Sequence, residues 1–92
     1  MDTLNQEQIG AALAELEGWG FEGEALRKTF RFNDFGHAID FVERLAEVAE
    51  ERGHHPDIDI RYNKVTLHCV THSAGGVTTR DVDLARAADH LL

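Results

Sequence analysis

Between Phe35 and Arg52, the residues Ala38, Phe41, Val42, Leu45, Val48 and Ala49 recur at helical spacing, and Gly53 supplies a stop signal. Asn33 or Asp34 can cap the start. This long helix divides the chain, because on either side of it the apolar period shortens to two. Over 25–32, Leu26, Phe30 and Phe32 share one face with Lys28, while Arg27, Thr29 and Arg31 share the other. Trp19 and Phe21 begin a shorter strand before it, joined through the turn Glu22-Gly23-Glu24. Beyond the helix, Asp57-Ile58-Asp59-Ile60-Arg61 alternates, Tyr62-Asn63 turns the chain, and Lys64 to Thr71 runs back. In that last strand Val65, Leu67 and Cys69 oppose Thr66, His68 and Val70. Each half of the chain holds one hairpin.

Two more helices complete the order. Residues 5–16 place Ile9, Leu13 and Leu16 on one face, and Gly18 and Gly20 end that run. After a Gly75-Gly76 loop, Thr78 starts a last helix with Val82, Ala85, Ala88 and Leu92 along its apolar side. The order α-β-β-α-β-β-α predicts an α+β fold, a four-stranded, mainly antiparallel sheet with helices packed on one face. The opposite face then carries Arg27, Thr29, Arg31, Thr66, His68 and Val70, and is either wet or covered by a second subunit.

A chain of 92 residues is expected to form one domain, 1–92. The apolar fraction of 42% and charged fraction of 28% are those of an ordinary soluble globule, and no run approaches the ~20 apolar residues of a membrane helix. Residues 1–17 are acidic and amphipathic, unlike a secretory leader, and Cys69 has no second cysteine to pair with. Both features lead us to expect a cytoplasmic protein. The alternation around Cys69 makes it a buried strand residue rather than a catalytic thiol. A formal charge of −8, with Lys28 and Lys64 the only lysines, argues against nucleic acid as a direct partner.

The chemistry concentrates where the long helix ends. His54-His55-Pro56 follows Gly53, His72 follows the last strand, and Asp81 opens the last helix, all within 28 positions. Histidine exchanges protons near neutrality. Imidazoles held close together repel as cations, so one can be neutral while another is protonated, as acid–base catalysis requires. Each residue has a plainer role beside this one. Thr78-Thr79-Arg80-Asp81 reads as a capping box, Glu50 as a solvated helix residue, and Tyr62 as a hairpin residue. His37, His68 and His90 receive no role.

Taken jointly, Glu50, His54-His55-Pro56, Tyr62, Thr71-His72 and Asp81 resemble the signature of the pterin-4a-carbinolamine dehydratases, and Tyr62-Asn63-Lys64-Val65 and Leu84-Ala85 also look typical of that family. Ile58 departs from it, since several members place a large aromatic there. The resemblance implies dehydration of 4a-hydroxytetrahydropterin to quinonoid dihydropterin, with no metal, nucleotide or flavin cofactor. It implies that His54, His55 and His72 are catalytic, and that Glu50, Pro56, Tyr62, Thr71 and Asp81 bind or orient the pterin. It also implies a homodimer or homotetramer, with no membrane attachment.

Two rivals come from other classes. Zinc accepts imidazole and carboxylate ligands, so His54 or His55 could join His72 and Asp81 around an ion, although adjacent histidines seldom both reach one. A non-catalytic dimerisation or assembly module is the second, since the family fold also serves in animals as the dimerisation cofactor of a transcription factor. Retention of all three histidines favours catalysis.

Overall fold

The computed structural model describes residues 2–92. In chain order the elements are α1 (Gln6–Ala14), β1 (Gly20–Glu22), β2 (Ala25–Arg31), α2 (Phe35–Arg52), β3 (Asp57–Arg61), β4 (Lys64–Cys69) and α3 (Thr79–Asp89), with a single 3-10 turn at His72–Ala74. The α+β order expected from the periodicities is the observed one. All strand pairs are antiparallel and the sheet order is β1-β2-β4-β3, so both hairpins meet along β2 and β4.

The helices cover one face of this sheet. Leu26 and Phe30 of β2 and Val65, Leu67 and Cys69 of β4 pack beneath Ile9 of α1, Phe41 and Leu45 of α2, and Leu84, Ala85 and Ala88 of α3. Phe41 lies between Phe30 and Phe32, at ring-centroid distances of 4.8 and 5.1 Å. Lys28 shares the apolar side of β2 yet escapes burial of an unpaired charge. Its Nζ reaches Asp89 at 2.8 Å and the carbonyl of Glu17 at 3.1 Å, and Trp19 Nε1 donates to the same Asp89.

The structure differs from the sequence pattern at three places. Leu92 is exposed, because α3 ends at Asp89, and the fully buried Leu84 fills the core instead. β4 stops at Cys69, and Thr71 forms an isolated bridge to Gly76. Ile58 and Ile60 pair with Leu67 and Val65 on the helix-covered face but are 39% and 38% exposed, because β3 is an edge strand that the helices do not reach across.

Gly53 ends α2 with φ of +61°, and the amides of Gly53 and His54 return to the carbonyls of Glu50 and Ala49. This is a Schellman cap, which turns the chain at a defined angle into the histidine pair. A Cβ at Gly53 would touch nothing within 4 Å, so Gly53→Ala tests the backbone term alone. We expect it to lower stability by about 1 kcal/mol in urea denaturation, without a change in the slope of the transition.

Candidate active site

Four element ends converge at one edge of the molecule: the C-terminus of α2, the start of β3, the residues after β4 and the start of α3. His54 and His55 arrive from the first, Thr71 and His72 from the third, Asp81 from the fourth.

Asp81 is wholly buried and fully used. One carboxylate oxygen accepts from the Thr71 hydroxyl at 2.7 Å and from the Thr78 amide at 2.8 Å. The other accepts from His54 Nε2 at 2.5 Å. Because the Thr71 hydroxyl has one proton and gives it to Asp81, the Thr78 hydroxyl must donate to Thr71 Oγ1 at 2.8 Å, leaving Thr78 Oγ1 to accept from the Arg80 amide. The capping box read from Thr78 and Asp81 is present, and the same carboxylate also holds the histidine. Asp81 does both jobs.

A carboxylate only accepts, so Nε2 of His54 carries a proton and, in the neutral ring, Nδ1 is the basic nitrogen. Nδ1 has no protein partner, and among the described residues no buried side-chain nitrogen or oxygen lacks one. It is therefore open to solvent although His54 is buried. His54 also lines a cleft of about 300 Å³, together with His55, His72, Thr71, Ser73 and Arg80, among others. Cavities of this order admit a small heterocycle.

His55 and His72 stand on the rim, 60% and 78% exposed in their side chains. Each faces a carboxylate, His55 Nε2 with Glu50 at 3.2 Å and His72 Nε2 with Asp57 at 3.9 Å. Pro56, half-buried, joins the pair to β3. Of the residues picked out by the sequence signature, the structure brings His54, His55, His72 and Thr71 to the cleft, Asp81 behind it through His54 and Thr71, and Glu50 to its margin through His55. It does not bring Tyr62, which lies beyond the far end of β3, roughly 15 Å along the strand.

Sequence reasoning missed Arg80. Its guanidinium donates to the carbonyls of Arg52 and Gly53, at 3.3 and 2.8 Å, and so fastens the end of α2 to the start of α3 beside the cleft. No local pattern announces this contact. The only available signal was an arginine adjacent to Asp81 in a chain whose α2 must end on open carbonyls.

Cys69 lies beneath this network and is buried, as its strand position implied. Burial, with the nearby carboxylates of Asp81 and Asp57 adding to it, pushes the thiol from 9.0 up to about 12. Folded protein at pH 8 is therefore expected to resist thiol-directed disulfide reagents at least about 10²-fold more than urea-unfolded protein. Below pH 9 the thiol is neutral in both states and has no effect. Above it only the unfolded chain ionises, so stability falls as pH rises from about 9 towards 12.

Among the described residues no group of three or more His, Cys, Asp or Glu side chains is placed to hold a metal ion, and no helix is long and apolar enough to cross a membrane.

The sequence model of the family described as Pterin 4 alpha carbinolamine dehydratase matches residues 2–91. A Mycobacterium avium (strain 104) protein is 54% identical over 86 residues, covering 94% of this chain and 92% of its own length. One from Thermomicrobium roseum is 51% identical over 86 residues, with the same coverages. Both are provisionally named pterin-4-alpha-carbinolamine dehydratase. The crystal structure of a transcriptional coactivator/pterin dehydratase from Brucella melitensis superposes with a TM-score of 0.94 at 35% identity, over 98% of each chain. A pterin dehydratase-like protein, described as a RuBisCO assembly factor in the alpha-carboxysome, superposes with a TM-score of 0.69 at 26% identity, over 82% of this chain and 89% of its own.

Proposed function

We infer the function of this chain from its kinship: it belongs to the pterin 4 alpha carbinolamine dehydratase family. The reaction we assign is loss of water from 4a-hydroxytetrahydropterin. The C4a–oxygen bond breaks, the adjacent ring nitrogen gives up its proton, and a C4a–nitrogen double bond forms. Nothing is oxidised or reduced, so acid–base groups suffice and the proposal includes no cofactor. It also includes a cytoplasmic location and a homodimer or homotetramer, since a small domain gains buried surface by association.

One observation carries this reading: three imidazoles border a single cleft, and one of them is backed by a wholly buried carboxylate. His54, with Nε2 committed to Asp81, takes the ring-nitrogen proton through Nδ1. His55 delivers a proton to the departing hydroxyl, and Glu50 orients it. His72 holds that hydroxyl on the other side of the cleft. A positioned acid or base contributes roughly 10²–10⁴-fold each.

The direct assay adds the protein to a pterin-dependent hydroxylase reaction and follows the carbinolamine absorbance. Its decay is expected to speed up at least about tenfold over the spontaneous rate. An unchanged decay with folded protein at micromolar concentration would sink the dehydratase reading. Likeness to the RuBisCO assembly factor favours a second reading, a non-catalytic assembly module, for which that unchanged decay is the expected result.

A further inference from the structure

At the sheet end remote from the cleft, the registers set Arg31 of β2, Lys64 of β4 and Arg61 of β3 side by side. Cross-strand partners project to the same face, here the one no helix covers. Like charges placed directly opposite disfavour strand pairing. Yet in a chain with 17 acids and nine Lys and Arg, three cations stand here in succession. All three are exposed, and among the described residues neither Arg31 nor Lys64 forms an ion pair. Arg61 alone has an acid, Asp59 of the neighbouring row, at 3.2 Å.

Tyr62 lies at the same end, and the cleft makes no use of it. It holds φ at +53°, a left-handed conformation that bulky side chains seldom adopt, with 68% of the residue exposed. The hairpin around it is fixed. Phe32 donates its amide to the Asn63 carbonyl at 2.9 Å, and Asn63 Nδ2 donates back to the Phe32 carbonyl at 2.8 Å. A rigid, strained tip displaying an aromatic ring beside a repelling row of cations is organised for something outside the fold.

We propose that this hairpin end is a docking surface for an acidic segment of another protein. Carboxylates of that segment meet Arg31, Lys64 and Arg61, and its side chains pack on the Tyr62 ring. The row spans two strand spacings, roughly 10 Å, which suits two or three carboxylates of a short segment. A long polyanion does not fit as well, because beyond the row it meets the field of a chain with net charge −8.

The test uses the full chain and a fluorescently tagged peptide of alternating glutamate and serine, about twelve residues long, at low and raised salt. Anisotropy is expected to report salt-sensitive binding, with amide NMR shifts confined to Arg31, Arg61, Tyr62, Lys64 and their neighbours. The triple variant R31Q/R61Q/K64Q is expected to weaken binding at least about tenfold, leaving the circular dichroism spectrum and the carbinolamine assay unchanged. Equal binding by that variant, shifts centred elsewhere, or tighter binding of a single-stranded oligonucleotide of equal charge would each overturn the proposal. So would a loss of self-association in the variant, which would make the occupant a second copy of this chain.

Discussion

Asp81→Asn is expected to destabilise the fold by about 3–5 kcal/mol and to cut the dehydration rate by at least about 10²-fold. The carboxylate takes hydrogen bonds from Thr71, Thr78 and His54, and all three donor residues are buried with it. Asparagine offers one acceptor oxygen and, in place of the other, an NH₂ that can only donate. At least one donor is then left unmet or forced to turn. If the His54 edge receives the NH₂, the ring must shift its proton to Nδ1, and the base proposed for the cleft disappears. A domain of this size has only about 5–15 kcal/mol in total, so the loss should be plain in urea denaturation. Rates are to be read where the variant is fully folded, so that activity and stability separate. Thr71→Val is the milder control, removing one donor and leaving the His54 bond in place. Wild-type stability and rate in Asp81→Asn would show that the buried network supports neither.

The fold was legible because its signals are local. Asp34 caps α2 with its side chain on the His37 amide, and Gly53 ends it in the left-handed region, so both bounds could be read from the residues beside them. β2 and β4 alternate as strands buried on one face do. Legibility fails where a residue's fate depends on what lies across from it. Ile58 and Ile60 alternate as well as any core strand, but only the sheet order makes β3 an edge. Leu92 keeps the helical period of α3, yet the last turn ends before it. The site divides in the same way. Asp81 could be read as a cap because its partner Thr78 is three residues away, whereas its bond to His54 spans 27 positions. Tyr62 shares the signature's spacing but not its place, since five strand residues carry it away from the cleft. Spacing records kinship; distance has to be measured.

The three histidines should not fail alike when replaced by alanine. His55 and His72 are exposed, so His55→Ala and His72→Ala are expected to leave stability within about 0.5 kcal/mol and to lower the dehydration rate by roughly 10²-fold each. His54→Ala carries a second cost, because it leaves one oxygen of the wholly buried Asp81 carboxylate without a donor. We expect about 2–3 kcal/mol of lost stability and the largest rate loss of the three, roughly 10³-fold or more. The coupling can be isolated. In the double variant His54→Ala/Asp81→Asn, the rate loss is expected to fall well short of the product of the single losses, since Asp81 acts on the substrate only through the ring it holds. Multiplying losses would mean that Asp81 acts independently of His54. Near-wild-type rates in all three folded single variants would remove acid–base catalysis from this cleft altogether.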